Sequence, residues 1–445
     1  MNGKRENFGS RLAVVMAMAG SAIGLGNIWR FPYLVGQNGG AAFIIIYLVA
    51  CFVLVLPIFM AESIIGRRTR MSTYGAMKKL APGTPWKWLG LLTVLTPLFI
   101  LGYYSVVGGW SVDYLWKACT LRLTHDTEGL FPDFISSTWE PLIAFTIFTV
   151  ATAVVILLGV KNGIEKFTKV CMPALFVLIV GIVIFSLTLP GASEGVRYLV
   201  KPDFSKIDAG AVASAMGQAF FSLSLGMGTI LTYASYAPEN ENIMVSGIGT
   251  TLADLSFALL AGFAIMPAVF SAGIQPGEGP GLVFDTLPYI FSQMPHGVGA
   301  VVGIVFFITI LMAALTSSIS LLEVGVAYLV EEKGMGRVKS TLLITFIGWV
   351  LGIFCSLSFG PLAGVKLFGL TIFDCLDKLC SDWLLPFGGL MFTLFVGWYM
   401  SREDVRDEFT SGGTRNTRIF GLVYFLMRYL APLGILVVFV TNLLL

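Results

Sequence analysis

Two hydrophobic stretches carry a Gly-x-Gly where a membrane helix should be most regular, at Gly24-Leu25-Gly26 and Gly226-Met227-Gly228. Glycine lowers helix stability by roughly 0.5–1 kcal/mol relative to alanine. A break facing lipid would also leave backbone hydrogen bonds unmet. A break that lines a site instead offers N–H groups, carbonyls and dipole ends to carboxylates and cations. Matched breaks in two halves of a chain therefore indicate a transport site, although either motif alone is more often a packing notch between helices.

Further polar side chains within these stretches could complete such a site. The amide oxygen of Asn27 is a hard, neutral ligand suited to Na⁺, and Asp254 is an intramembrane carboxylate, a functional candidate by default. Ala313, Thr316 and Ser317 are spaced i, i+3 and i+4, so a carbonyl and two hydroxyls can converge on one helix face. Each residue also has an alternative role. Asn27 could make an ordinary contact between helices, Thr316 and Ser317 could bond to preceding carbonyls of their own helix, and Asp254 could be a structural residue bonded to neighbouring hydroxyls.

The composition places the chain in a lipid bilayer. Of 445 residues, 56% are hydrophobic and 12% are charged, whereas about a quarter of a soluble protein is charged. The net charge of +2, with no basic tract, gives no indication of nucleic-acid binding. The basic residues near the N-terminus resemble a signal-peptide flank, but the apolar run after them is longer than a signal core, so we expect it to be retained. Six cysteines without metal-type spacing are predicted to be packing residues.

Eleven apolar runs are long enough to cross a membrane, and we number them spans 1 to 11. They cover residues 11–36, 40–65, 88–118, 139–159, 167–189, 209–236, 243–273, 299–330, 340–357, 372–399 and 419–444. The fold class predicted is therefore an all-α integral membrane protein, with spans 1 and 6 unwound at the glycine motifs.

Basic residues between the spans predict the orientation, because cytoplasmic loops are enriched in lysine and arginine. They are Lys4, Arg5, Arg67, Arg68, Arg70, Lys78, Lys79, Lys161, Lys166, Lys169, Lys333, Arg337, Lys339, Arg415 and Arg418, all on one side. We therefore expect the protein to lie in the cell's inner (plasma) membrane with its N-terminus in the cytoplasm. With eleven spans, the C-terminus is then expected on the outer side.

Spans 1 and 6 run in opposite directions, which predicts an inverted repeat. We expect one transporter domain over residues 1–445, with a first repeat at 11–189, a second at 209–399 and a peripheral helix at 419–444. The outer loop at 274–298 contains an amphipathic segment after Pro276 to Gly281. That segment could re-enter as a cap or lie in solvent, and the pattern leaves both open.

Five motifs give the chain a resemblance to the neurotransmitter:sodium symporter family over nearly its whole length. They are residues 11–33 (RLAVVMAMAGSAIGLGNIWRFPY), 38–43 (NGGAAF), 62–67 (ESIIGR), 218–228 (QAFFSLSLGMG) and 313–318 (AALTSS). Family members usually have twelve spans, so a chain with eleven leaves the oligomeric state open.

The resemblance implies two all-oxygen sodium sites and no organic cofactor. The first would use the Ala22 carbonyl, Asn27, Ser222 and Asp254, completed by the substrate's carboxylate; family members commonly have asparagine at the last position. The second would use Thr316 and Ser317 with the carbonyls of Gly20, Ile23 and Ala313.

The resemblance also implies a substrate site. The N–H groups of Leu25 and Gly26 and the hydroxyl of Tyr104 would hold a carboxylate, and Gly24 stands where carriers of monoamines have an acid, which favours amino acids. The rest of the site is apolar and uncharged, and Met227, where the leucine carrier has phenylalanine, could repack around larger ligands. The implied substrate-binding residues are Ala22, Leu25, Gly26, Ile100, Tyr104, Phe221, Ser222, Ser224, Met227, Ser317 and Leu321.

Two gates follow from the same resemblance. The outer gate would pair Arg30 with Asp377, helped by Gln218, above Tyr104 and Phe221. The inner gate would pair Arg5 with Glu331 near Tyr236, with Phe8 in the place of a common tryptophan. Gly163 and Pro173 match a pair that lets the inner part of span 5 unwind, unless they only kink the start of that helix.

The expected function is sodium-coupled import of hydrophobic or aromatic L-amino acids by alternating access. Asp254 would replace bound chloride beside Tyr47, Gln218, Ser222 and Ala258, and its protonation on the sodium-free return step would give H⁺ antiport. The alternatives are a carrier of small neutral amino acids and a substrate-gated ion channel. An enzyme is disfavoured because His125 and His296 fall in outer loops and no nucleophile, base and orienting acid share a span.

Overall fold

The computed structural model describes residues 6–124, 127, 129–238, 241–274, 281–295 and 297–444. Arg5, His125, His296 and the segment 275–280 lie outside these residues. Helices joined by short loops make up nearly all of the described chain, and the only β pairing there is an isolated bridge between Leu367 and Leu370.

Ten helical segments of the described chain are long and apolar enough to cross a membrane, when the bent pair in span 1 is counted once. They are Arg11–Ala22 with Gly26–Gln37, Ala41–Thr69, Lys87–Cys119, Trp139–Leu157, Val160–Leu187, Ile243–Ser271, Val298–Glu332, Arg337–Leu357, Ile372–Tyr399 and Phe420–Thr441. Span 6 consists of two shorter helices, Ala209–Ser222 and Thr229–Ser235. Counting it as one broken span gives eleven, and the predicted all-helical membrane fold is confirmed.

One predicted boundary is wrong by about two turns. Span 5 begins at Val160, not near residue 167, with a π-helical segment over Val160–Glu165. Gly159 adopts a φ of 89°, which ends span 4, and the Glu6 carboxylate accepts a hydrogen bond from the Val160 N–H. The carboxylate therefore satisfies one of the N–H groups that a helix start leaves open, and the helix begins despite the lysines in its first turns.

The outer loop segment after span 7 packs as a cap. Its helix, Leu282–Ser292, directs Phe284 against Trp110 and Tyr114 of span 3 and Phe307 of span 8, with ring centroids 5.2–6.1 Å apart. The question that the sequence left open is therefore answered in favour of a packed helix. The remaining short helices are Thr73–Leu80, Arg122–Thr124, Leu130–Ser136, Ala192–Val200, Phe204–Lys206 and Arg402–Thr410.

Burial separates central from peripheral spans. The most apolar windows of spans 2, 3 and 7 are 67–72% buried, whereas those of spans 5, 9 and 11 are 39% buried. Span 11 is thus no more buried than spans 5 and 9, and its role as a peripheral helix stays a prediction. The division into an inverted repeat at 11–189 and 209–399 stays a prediction.

Both glycine motifs interrupt their helices. In span 1, Ile23 is extended (φ −75°, ψ 105°), and the two helices meet at 53°. In span 6, residues 223–228 form consecutive turns between the two helices. The centre of the molecule therefore contains two stretches of backbone whose polar groups are not used by their own helices.

Candidate functional site

The first break presents backbone donors and acceptors beside side chains of spans 3 and 8. The Leu25 N–H donates to the Tyr104 hydroxyl oxygen at 3.2 Å, and the Gly24 N–H donates to the Asn27 side-chain oxygen at 3.0 Å. On the other side of the break, the Ser317 hydroxyl donates toward the carbonyls of Ser21 and Ile23 at 3.1 and 3.2 Å. Donors thus face Tyr104, and acceptors face span 8.

A small cavity of about 30 Å³ lies between the two breaks. It is lined by Ser21, Ala22, Gly24, Gly26, Ile100, Tyr104, Phe221, Ser222, Ser224, Met227, Ser317, Leu321 and Leu385. Ten of the eleven predicted substrate-binding residues are therefore brought together, and the eleventh, Leu25, lines the next cavity outward. No lysine, arginine, aspartate or glutamate contributes to the lining.

Two lining residues were not identified from the sequence, Ser21 and Leu385. Ser21 belongs to span 1, where its position just before the break was the available signal. Leu385 lies in a long apolar run of span 10, where nothing in the pattern distinguishes a cavity-facing leucine from a lipid-facing one.

Gly24 is a position where space, not backbone conformation, requires glycine. A Cβ atom there would lie 2.5 Å from Ser317 Oγ and 2.7 Å from the Tyr104 hydroxyl oxygen. An acidic side chain at this position would have to displace both hydroxyl groups. The polar end of the cavity therefore has room for a ligand's own carboxylate only because residue 24 has no side chain.

The five predicted ligands of the second sodium site come together. Ser317 Oγ lies 3.4 Å from the Gly20 carbonyl oxygen and 3.2 Å from that of Ile23. Thr316 Oγ1 lies 3.5 Å from the Ile23 oxygen and 3.0 Å from the Ala313 oxygen. Hydroxyl and carbonyl oxygens suit a hard cation, so this cluster fits Na⁺ as a transported ion.

The side chains predicted for the first sodium site also cluster. The Ser222 hydroxyl donates to both carboxylate oxygens of Asp254, at 2.8 and 3.0 Å. The Asn27 amide nitrogen donates to Asp254 Oδ1 at 2.7 Å, while its oxygen accepts from Gly24. Asn27 would therefore have to turn its amide to offer oxygen to a cation. Ala22 lines the adjacent cavity.

The positions expected to replace a chloride site divide into two groups. Tyr47 and Ser222 both direct hydroxyl groups at Asp254, with Tyr47 at 3.4 Å. Gln218 instead donates from its amide nitrogen to the Gly26 carbonyl at 2.9 Å, and Ala258 is fully buried. Asp254 is thus surrounded by donors of the kind that would otherwise face an anion.

A buried carboxylate supports the second break. Glu62 of span 2 is fully buried, and its two oxygens accept hydrogen bonds from the N–H groups of Gly226 at 2.7 Å and Leu231 at 3.4 Å. The sequence motif included Glu62 without giving it this role, although an intramembrane acid was the signal that could have found it.

A larger cavity of about 170 Å³ lies outward of the first and shares Gly26, Tyr104 and Phe221 with it. Arg30 and Asp377, the predicted outer gate, both line this cavity. Among the described residues no ion pair joins them: the Arg30 guanidinium lies 5.0 Å from the Phe221 ring centroid, and Asp377 accepts a hydrogen bond from Ser381. Phe221 therefore separates the two cavities, with the two charges above it.

The opposite end of the molecule closes through a different set of contacts. Glu331 accepts a hydrogen bond from the Ser72 N–H at 2.5 Å, whereas its predicted partner Arg5 lies outside the described residues. Tyr236 donates to Glu323 at 2.8 Å, and Glu323 is paired with Arg337 at 2.7 Å. Glu323 and Arg337 were not predicted for the gate, although an acid inside span 8 was a visible signal.

Phe8 is 3% exposed and contributes to this closure. Its N–H donates to the Tyr236 carbonyl at 2.9 Å, and its ring meets those of Tyr233 and Tyr236 edge-on at 5.7 and 6.1 Å. Next to it, the Gly9 N–H donates to Glu165 of span 5 at 2.7 Å. The N-terminal segment thus contacts both span 5 and span 6, at the end of the molecule opposite Arg30 and Asp377.

Comparisons with known proteins show which chains this one is similar to. A sequence profile of the sodium:neurotransmitter symporter family matches residues 5–130 and 133–445. An uncharacterised sodium-dependent transporter of Bacillus subtilis, YhdH, is 39% identical over 98% of this chain and 97% of its own. The sodium-dependent serotonin transporter of Drosophila melanogaster is 28% identical over 82% of this chain and 65% of its own.

A solved structure is also similar over the full length. The crystal structure of MhsT in complex with L-phenylalanine superimposes with a TM-score of 0.91, at 42% identity, covering 98% of this chain and 99% of that one.

Proposed function

The chain belongs to the sodium:neurotransmitter symporter family, and on that premise we propose that it imports hydrophobic or aromatic L-amino acids together with Na⁺ by alternating access. It is a sodium-dependent transporter and not an enzyme. The observation that carries the choice of substrate is the cavity between the breaks, polar at one end and free of charged side chains throughout.

The polar end suits the backbone of an amino acid. The N–H groups of Leu25 and Gly26 start a half-helix, where dipole and donors favour a carboxylate, and the Tyr104 hydroxyl already lies 3.2 Å from the Leu25 nitrogen. Gly24 has no space for an acid of its own beside Ser317 and Tyr104. A zwitterion therefore fits better than an amine without a carboxylate.

The apolar end suits an uncharged side chain. Ile100, Phe221, Met227 and Leu321 line it, and a charged side chain buried there would find no partner. MhsT, the similar structure, is in complex with L-phenylalanine, which supports an aromatic substrate here. The cavity volume of about 30 Å³ favours the second candidate, a carrier of small neutral amino acids, unless flexible side chains such as Met227 move.

One or two sodium ions per cycle would use the two oxygen clusters. The second cluster joins span 1 to span 8 through Ser317 and Thr316, so a bound ion would hold the first break closed against span 8. The first cluster adjoins the substrate's carboxylate end. Each ion moved down 100 mV releases ~2.3 kcal/mol, and each tenfold concentration gradient adds ~1.4 kcal/mol, which is enough to accumulate substrate.

Chloride independence is part of the same proposal, because Asp254 already supplies a negative charge among the hydroxyl groups of Tyr47 and Ser222. Proton antiport on the return step stays a prediction from the sequence, testable as substrate-driven alkalinisation inside vesicles. We place the N-terminus in the cytoplasm and the chain in the plasma membrane of its cell.

A competition experiment tests the substrate class. The purified protein in liposomes with an inward sodium gradient should bind or take up leucine, methionine and aromatic amino acids in preference to glycine, glutamate and lysine. If glycine or alanine is the best competitor, the small-substrate candidate is correct. Current that flows without substrate and exceeds carrier turnover would instead indicate a channel.

A further inference from the structure

We infer that Leu385 of span 10 is a specificity-determining residue that limits the size of the substrate's side chain. The inference rests on the proposed function, and it concerns a residue that neither the motifs nor the predicted pocket contains. Leu385 lines the cavity between the breaks and is 1% exposed.

Leu385 is one of the large apolar side chains of the lining. The hydrogen-bonding groups of the lining come from Gly24 and Gly26, from Tyr104 and from the serines of spans 1, 6 and 8. The lining residues with large aliphatic or thioether side chains are Ile100, Met227, Leu321 and Leu385. If the first break holds the carboxylate, the substrate's side chain must extend among these four residues.

The main chain at Leu385 packs directly against the second break. A Cβ atom at Gly226 would lie 2.0 Å from the Leu385 carbonyl oxygen, and a Cβ at Gly388 would lie 1.8 Å from the Gly226 carbonyl oxygen. Spans 6 and 10 are thus in backbone contact beside the cavity. The position of Leu385 relative to the second break is therefore set by contact between two main chains.

The four apolar residues differ in how they can respond. Met227 is unbranched and fits itself to neighbours of varied shape, whereas Ile100 is held to few rotamers by its branched Cβ. Leu385 carries a bulky side chain on a main chain packed against Gly226, and it lines a cavity of only about 30 Å³. Shortening or enlarging this side chain should therefore change the largest substrate accepted, more than it changes binding of the common amino-acid backbone.

Two variants with opposite effects test the inference. In proteoliposomes with a sodium gradient, Leu385→Ala should raise kcat/KM for tryptophan relative to leucine, and Leu385→Phe should lower it. Because one methylene in an apolar pocket changes discrimination by about 10–200-fold, a change in the ratio of about tenfold or more is expected in each direction. The sodium concentration for half-maximal uptake should stay within about twofold, since no predicted ion ligand is altered.

Leu390→Ala is the matched control. Leu390 is buried on the same helix but does not line the cavity, so its substitution should reproduce any loss of stability without changing the ratio. An unchanged ratio in Leu385→Ala, or the same change in Leu390→Ala, would overturn the inference. Should Leu385→Phe fail to fold, Leu385→Ala still decides.

The proposed function can fail separately. If the unmodified protein shows no sodium-dependent uptake of any of the twenty amino acids, the proposal of an amino-acid carrier is wrong. If the unmodified protein carries amino acids and only the variants leave its preference unchanged, the role of Leu385 alone is wrong.

Discussion

The two breaks share the motif Gly-x-Gly but need their glycines for different reasons. Gly24 and Gly26 of the first break do not have positive φ angles, whereas Gly226 and Gly228 of the second have φ of 81° and 74°. At the first break a Cβ would meet the flexible ends of Ser317, Tyr104 or Phe221. At the second, a Cβ on Gly226 would meet the main chain of span 10.

The supports of the two breaks differ in the same way. The first break is held by hydroxyl and amide side chains that line the candidate ion and substrate sites, such as Tyr104 and Asn27. The second is held by Glu62 and by backbone contact with Gly388. Residues of both breaks line the cavity, but polar side chains of the candidate sites hold the break in span 1, whereas a buried carboxylate and main-chain contact hold the break in span 6.

The largest expected effect is that of Gly226→Ala on stability. A left-handed conformation costs a residue with a Cβ about 1–2 kcal/mol, and overpacking against a main chain that cannot move adds about 1–3 kcal/mol. We expect a loss of roughly 2–5 kcal/mol, measured as a large fall in thermal midpoint or in the yield of folded protein.

Gly217→Ala is the control for this variant. It lies on the same span in a helix, and its Cβ would have no atom within 4 Å, so it should leave the midpoint unchanged or raise it slightly. A Gly226→Ala protein as stable as Gly217→Ala would remove the distinction between the two breaks.

The second effect is that of Gly24→Ala on substrate affinity. Because Gly24 has no positive φ and its would-be neighbours are the hydroxyl ends of Ser317 and Tyr104, the fold should tolerate the methyl group within about 1 kcal/mol. Displacing Tyr104 and filling the carboxylate end should raise the KM for amino acids about tenfold or more. The measurements are the KM of amino-acid uptake and the thermal midpoint of unfolding, each compared with the unmodified protein.

A Gly24→Ala protein that unfolds like Gly226→Ala would show that both breaks are structural. Unaltered KM with normal stability would instead show that the carboxylate does not bind at the first break.

The sequence predicted the first break better than the second, for a physical reason. Asn27, Thr316 and Ser317 could be proposed because their side chains carry oxygen ligands, helix spacing places Thr316 and Ser317 on one face, and the family resemblance implies sodium sites at these positions. The support of the second break by Gly388 and the cavity position of Leu385 depend on which backbones touch. Nothing in an apolar run of span 10 encodes such a contact.

The contacts of the two gates were also hard to predict, because they join residues that are far apart in the sequence. Arg30 and Asp377, which the family resemblance placed in one gate, line the same cavity, but the Arg30 guanidinium lies over the Phe221 ring and no ion pair joins the two among the described residues. Glu323 and Arg337 form an ion pair that was not predicted, because no spacing rule relates an acid inside span 8 to a base at the start of span 9. Span boundaries depend on local apolarity and were predicted closely, except at span 5. That span begins before the predicted boundary, at Val160, whose N–H donates to the Glu6 carboxylate.

The third effect sharpens the comparison at the ion site of the first break. Replacing Thr316 and Ser317 by alanine removes two predicted sodium ligands, hydroxyl groups that bond to the Ile23 carbonyl. Since a hydrogen-bonding group of this kind contributes about 1 kcal/mol, the double variant should raise the sodium concentration for half-maximal uptake about tenfold or more. Ser318→Ala, whose hydroxyl bonds to Thr152 and Leu315, is the control; equal sodium activation in all three proteins would defeat the assignment.

The smallest expected effect concerns chloride: we expect the rate of substrate uptake to stay the same when chloride is replaced by gluconate. Asp254 is predicted from the family resemblance to stand where chloride-dependent relatives hold their ion, and it accepts hydrogen bonds from Ser222 and Tyr47. A second anion beside this carboxylate would be repelled, so uptake by the unmodified protein should not depend on chloride. Asp254→Asn removes the fixed charge while keeping the shape, and its uptake should be weaker in gluconate and partly restored by chloride. Strong chloride dependence of the unmodified protein, or an Asp254→Asn protein that is indifferent to both sodium and chloride, would show that the cluster around Asp254 is structural, as the second break is.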